Sequence, residues 1–276
     1  MIRVIDDILD GTGLFVRGIF HPEPDDGVPA LAGGRAAATV VLVGNAGKDL
    51  WQALLRDNAA LAGKNPLDTW VDGHLERAAA AVRAKLVYAT RKPWPPIQRW
   101  ALRAGGVFRS PIGILIHPEF GLWHVYRGAL LFAETLSLPT PLEGEGLGMR
   151  GRADGVLAAG PSPLASHPAD AAHRAGERGS PCDTCAEKPC LTTCPADAFS
   201  LEGFDALACV DHVESPKGKA CTMGGCLARR ACPVGRPHAY ELAEGAFHMA
   251  AVVGTVRKMQ ARGEAPWKKT KPAAEP

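Results

Sequence analysis

The chain has 276 residues, 46% of them hydrophobic and 22% charged, and a net charge of +2. These proportions are ordinary for a soluble globular protein, and the charge is too small to argue for a nucleic-acid partner. No apolar run reaches membrane-spanning length; the longest, such as Ala246–Val253, is broken by His248.

The first ~160 residues alternate strand-like and helix-like stretches, which predicts an α/β (α+β) domain. Leu14–Phe20 reads as a short strand and Thr39–Val43 as a buried one. Val40–Lys48 superficially resembles a phosphate-binding loop. Only two residues separate Gly44 from Gly47, and Asp49 follows Lys48, so it reads as a strand-to-helix turn. Asp49–Leu61 has helical spacing. Pro66–Leu86 reads as a longer helix, with Asn65 as cap, Pro66 at its first position, and Leu67, Val71, Leu75, Ala78, Val82 and Leu86 on one face. Ile97–Arg103 reads as a shorter helix. Ile112–Ile116 and Trp123–Phe132 read as strands joined by the turn His117-Pro118-Glu119-Phe120-Gly121. Residues 1–140 are expected to form the first domain and 141–178, rich in Gly, Pro, Ala and Ser, a linker. Ala239–Arg262 reads as an amphipathic helix able to pack on either domain. Residues 241–276 are read as that helix followed by a basic, disordered tail.

All eight cysteines fall between Cys182 and Cys232. The first run is C-D-T-C-A-E-K-P-C-L-T-T-C-P from Cys182, Cys209 stands alone, and the second run is C-T-M-G-G-C-L-A-R-R-A-C-P from Cys221. Each [4Fe–4S] cube needs four thiolates, so eight cysteines supply two with none left over. In two-cluster ferredoxins the last cysteine of a run binds the other cube. On that pattern Cys182, Cys185 and Cys190 hold one cube with Cys232, and Cys194 joins Cys209, Cys221 and Cys226. Proline after Cys194 and Cys232 fixes the loop exits, and Gly224-Gly225 lets backbone approach a cube closely. The spacing is wider than the common bacterial one. Disulfides suit a short secreted chain, whereas Met1–Asp10 lacks a basic n-region and an apolar h-region. Zinc would need a second C-x2-C knuckle beyond Cys182–Cys185. A cytoplasmic dicluster domain over residues 179–240 is the expectation. Its window Pro181–Tyr240 is nearly neutral, with six Lys and Arg against seven Asp and Glu, so no nucleic-acid partner is expected.

The segment Ala104–Leu131 resembles the CblC-type cobalamin-processing proteins at Ile116, His117, Pro118, Phe120, Gly121, Trp123, Arg127 and Gly128, and Asn65–Arg77 resembles that family's helix. The same segment resembles epoxyqueuosine reductase, which also follows its cobalamin domain with two four-iron clusters in this cysteine order; reductive dehalogenases share the layout. The resemblance implies a nitroreductase-like, cobalamin-binding α/β domain followed by a small ferredoxin-like domain. It implies reduction of a bound corrinoid from Co(II) to Co(I), or reductive removal of its upper ligand. Electrons would come from a flavodoxin, a ferredoxin or a reductase. Two departures stand out. Thr90–Pro96 reads T-R-K-P-W-P-P, without the aspartate that epoxyqueuosine reductases carry there, and CblC-type proteins lack iron–sulfur clusters.

The resemblance marks His117, Phe120, Gly121, Trp123 and Arg127 as corrinoid contacts. Each has a plainer alternative. His117 is either a cobalt ligand or a turn histidine before Pro118. Phe120 and Trp123 either wall a corrin ring or fill the core. Arg127, inside an apolar strand, needs an anion or a carbonyl partner. Other readings are a small-molecule reductase with Tyr88 or His124 as proton donor, and an electron-transfer protein whose first domain has no corrinoid.

Overall fold

The computed structural model describes residues 1–57, 64–137, 179–201 and 203–264. The expected linker over 141–178 and the tail beyond residue 264 lie outside the described residues.

Helix α1 (Ile2–Leu9) leads into strand β1 (Leu14–Phe20), which pairs with β2 (Thr39–Ala46). Helices α2 (Asp49–Arg56) and α3 (Pro66–Ala81) follow, then β3 (Lys85–Tyr88) and α4 (Ile97–Ala104). A small ladder, β4 (Phe108–Arg109) with β5 (Leu115–Ile116), precedes the long strand β6 (His124–Phe132). The main sheet has the order β1-β2-β6-β3, and every neighbouring pair in it is antiparallel.

All eight positions of β2 are buried because helices cover both faces of the sheet. Its side chains alternate between the two layers. Val41 and Val43 pack with Ile5, Leu50, Leu54, Val71 and Leu75, while Val40 and Leu42 pack with Trp100, Ala101 and Val107. Strand β6 alternates likewise, with Leu130 and Phe132 in the first layer and Ala129 and Leu131 in the second. A strand covered on both faces reads as a continuous apolar run, not as alternating polar and apolar residues.

Four sequence-based boundaries need correction. Helix α2 ends at Arg56, where the Asp57 N–H turns back to Leu54 O; residues 58–63 lie outside the described residues. Helix α3 ends at Ala81, not Leu86. Arg83 takes a left-handed φ of 52°, the chain reverses, and Leu86 becomes a β3 residue opposite Leu130. Residues Ile112–Ile114 are not strand, because Ser110 bonds Ile114 O through both its N–H and its Oγ, closing a turn around Gly113. Trp123 precedes β6, its N–H held by Phe120 O.

After residue 179 the chain forms short elements: α5 (Pro189–Thr192), the hairpin β7 (Phe199–Ser200) and β8 (Gly203–Phe204), α6 (Ala206–Glu214), α7 (Lys219–Gly224) and α8 (Leu227–Ala231). Asp205 caps α6 by accepting the Ala208 N–H. The last helix, α9 (Leu242–Ala261), serves both halves. Phe247 rests on Trp51 at 5.2 Å between ring centres, while Met249, Val253 and Val256 pack toward α6 and α7.

Candidate metal centre and adjoining cleft

The eight cysteines are all free thiols, and their electrostatic neighbours divide them into two sets. Burial raises the Cys190 thiol pKa, and Cys232, Cys182 and Cys185 raise it further. Burial likewise raises Cys182, with Cys232 and Cys185 adding to it. Cys209 is pushed up to about 12, first by burial and then by Cys226, Cys194 and Cys221. Cys221 and Cys226 each feel Cys194. One quartet is therefore Cys182, Cys185, Cys190 and Cys232; the other is Cys194, Cys209, Cys221 and Cys226. Four crowded thiols resist ionising together unless a cation offsets their charge, as thiolate-bound metals do. Among the described residues no group of three or more Cys, His, Asp or Glu side chains is arranged to hold a metal ion.

Local structure explains the crossing. Cys226 is the N-cap of α8 and Cys232 its C-cap. Six steps of about 1.5 Å set their backbones about 9 Å apart, and Cys226 lies beside Cys194 while Cys232 lies beside Cys185. Cys190 lies within α5, whereas Cys194 follows it and accepts the Ala198 N–H at 3.4 Å.

The first quartet sits against the sheet domain. Its four cysteines, with Pro111, Ile116, Pro181 and Val234, line a narrow hollow of about 20 Å³. Beside it lies an open cleft of about 780 Å³ lined by Leu102, Phe108, Arg109, Ser110, Pro111, Ser180, Cys182, Asp183 and Lys188. Cys182 borders both spaces. Cys209, Cys221 and Cys226 of the second quartet pack instead with Val213, Leu227, Met249 and Val253.

The residues marked by resemblance gather at the seam between the halves, and none is among the residues lining the cleft. His117 Nδ1 accepts the N–H groups of Glu119 and Phe120, the arrangement of a turn histidine. Burial, then Arg17 and His238, lowers its pKa to about 3. Phe120 stacks on His117 and meets His238 edge-on. Gly121 has a φ of 58° and lies against the Val234 carbonyl. Trp123 contacts Tyr240, and the Arg229 guanidinium lies over both rings while donating to Leu122 O. Arg127 is buried; its Nε donates to Asn45 Oδ1 at 2.9 Å, and its Nη1 lies 3.9 Å from Asp68.

Several buried polar groups at this seam escape sequence reading: Arg17 under the rings of Phe15, Phe120 and Tyr126, and Glu244 with His248 beside Arg127 and Arg229. Arg17 carries the signal used for Arg127, an arginine inside an apolar strand. Glu244 looks like an ordinary first-turn helix residue.

Glu244 is 2% exposed, and burial raises its carboxyl to about 8, with Arg229 and Arg127 opposing the shift and Glu241 adding to it. Its folded pKa thus exceeds the ordinary value of 4.5, so the folded state holds the proton more tightly than the unfolded state. That stability is fully present below pH 4.5 and is lost as pH rises to about 8. Glu244→Gln is expected to flatten this fall, read as the thermal midpoint of anaerobic protein across that range; a wild-type profile as flat as the variant's would refute it.

No family model and no curated protein matches the chain. Among solved structures the chain is similar to a C. elegans B12-trafficking protein, CblC, described as a homologue of human MMACHC. The TM-score is 0.38 and the identity 16%, over 63% of this chain and 78% of that one. No helix among the described residues is long and apolar enough to cross a membrane.

Proposed function

We propose that this protein is a cytoplasmic iron–sulfur reductase that holds one [4Fe–4S] cluster in each thiol quartet and a corrinoid in the cleft beside the first. The observation that carries the reading is the division of eight free thiols into two quartets, joined by the helix α8. Such clusters pass single electrons at low potential, which is what corrinoid reduction or removal of an upper ligand requires.

The chain's own residues supply the rest. Pro111, Ile116, Pro181 and Val234 give the hollow at the first quartet an apolar lining, while Cys182 also meets the open cleft. Phe108, Leu102 and Pro111 offer the cleft an apolar face, and Arg109, Ser110, Ser180, Asp183 and Lys188 give it polar contacts. A cofactor site of this size typically has such a lining. His117, Phe120, Gly121 and Trp123 act from behind the cleft: they seat the turn that follows Ile116 against the chain around Arg229 and Val234, whereas Arg127 holds Asn45 of β2.

Protein purified without oxygen is expected to hold about eight irons, following from two cubes, and to shift the spectrum of added cob(II)alamin to a base-off form. Arg109→Trp, at an exposed position lining the cleft, should abolish the cobalamin response and leave iron content unchanged. Clusters without any cobalamin response would favour the electron-transfer reading. Absence of iron would sink both.

A further inference from the structure

Glu244 is a buried acid with no part in the electron path described so far. It is 2% exposed, and its Oε2 has no hydrogen-bond partner among the described residues. The guanidinium groups of Arg229 on α8 and Arg127 on β6 lie beside it. On its own helix, His248 Nε2 stands 3.8 Å from Oε1, and Glu241, three residues earlier, adds a negative charge while accepting from Gln52. Burial, then Arg127 and Arg229, keep His248 neutral by lowering its pKa to about 3. Tyr240 packs on His248 with its hydroxyl unpartnered, and Arg230 donates to Gly224 O and Tyr240 O. Asp68, half-exposed, lies 3.9 Å from Arg127 Nη1. A carboxyl that is neither fully paired nor in water gains or loses its proton as the charge around it changes.

The second quartet is placed to supply such a change. Gly245, next to Glu244, lies against the loop between Cys221 and Cys226: a Cβ on Gly225 would stand 3.0 Å from Gly245 Cα. Arg229, three residues after Cys226, favours the ionised form of both the Cys226 thiol and the Glu244 carboxyl. One cation therefore serves a cysteine of the quartet and the buried acid together. An added electron at that quartet makes a second negative charge at Glu244 costlier, the more so in an interior that screens charge poorly.

We propose that electron uptake at the second cluster is coupled to proton uptake at Glu244. This rests on the reading that Cys194, Cys209, Cys221 and Cys226 hold a cluster. In each step a one-electron donor, such as a reduced viologen, loses one electron and the cluster gains it. One solvent proton forms an O–H bond on the Glu244 carboxylate, and no bond in the protein breaks. His248, 26% exposed beside Oε1, offers that proton its way in.

The test is an EPR-monitored redox titration of the anaerobic, iron-loaded full chain at a series of pH values. Each pH unit is a tenfold change in proton concentration, worth about 59 mV for one electron. The potential of the second cluster should stay level below about pH 8, where Glu244 holds its proton in both redox states, and fall above it by up to that amount per unit. Glu244→Gln should level the potential across the whole range and leave iron content unchanged. The reduced-minus-oxidised infrared spectrum, taken above pH 8, should gain the C=O stretch of a neutral carboxylic acid in wild type and not in the variant. Should the variant misfold, wild type still decides: reduced at an electrode through a viologen in weak buffer, it must take up protons as the second cluster is reduced, read by a pH indicator. A level potential in iron-loaded wild type, or a slope that persists in folded Glu244→Gln, would overturn the coupling and leave the clusters standing. Protein that takes up no iron would sink both.

Discussion

Cys232→Ser is expected to remove the same cluster as Cys182→Ser, Cys185→Ser or Cys190→Ser, although Cys232 belongs to the second run in the sequence. Each variant should fall from about eight irons to about four and keep the EPR signal of the surviving centre. Cys194→Ser should group with the variants at Cys209, Cys221 and Cys226 and keep the opposite signal. The reason is the direction in which α8 presents its two capping cysteines: Cys232 faces the thiols of the first run while Cys226 faces Cys194. Anaerobic reconstitution followed by iron analysis and EPR separates the two groups. If Cys232→Ser instead matched Cys221→Ser, the pairing would follow the linear runs, and the division into quartets would be wrong.

What was legible in the sequence follows from how local each signal is. Leu14–Phe20 is strand from end to end because its ends are marked by Gly13 and by His21-Pro22. The apolar face of α3 was readable because Leu67, Val71, Leu75 and Ala78 all point into one layer. Its end was not, since Val82 and Leu86 continue the helical period while Arg83 reverses the chain through a left-handed turn that the residue type does not announce. The cysteine spacing suggested the two sets of four. The cleft between Phe108–Pro111 and Ser180–Lys188 was invisible, because it joins segments some seventy residues apart. The seam was half visible: Arg127 and Trp123 stood out in an apolar stretch, while their partners Arg229, Tyr240 and Glu244 lie in segments whose local pattern says nothing of the sheet they meet.

Gly121→Ala is expected to destabilise the seam and, through it, the first quartet. Gly121 has a φ of 58°, and a Cβ on it would overlap the Val234 carbonyl. A non-glycine residue in that conformation costs about 1–3 kcal/mol before any clash, and here the neighbour is backbone and cannot swing aside. Gly235, with a φ of 71°, meets the Phe120 backbone from the other side, so Gly235→Ala should act alike. Gly11→Ala is the control, for Gly11 has a φ of 71° and no atom within 4 Å of the added carbon, so it bears the torsional cost alone. The seam variants should therefore unfold at a lower temperature than Gly11→Ala. Val234 is two residues beyond Cys232 and helps line the first hollow, so displacing it should strip iron from that quartet while the centre at Cys194, Cys209, Cys221 and Cys226 survives. Equal losses from both centres would mean that the seam supports the whole fold and has no special tie to the first quartet. Unchanged stability and iron content in Gly121→Ala would mean that the two halves do not meet at Gly121 and Val234.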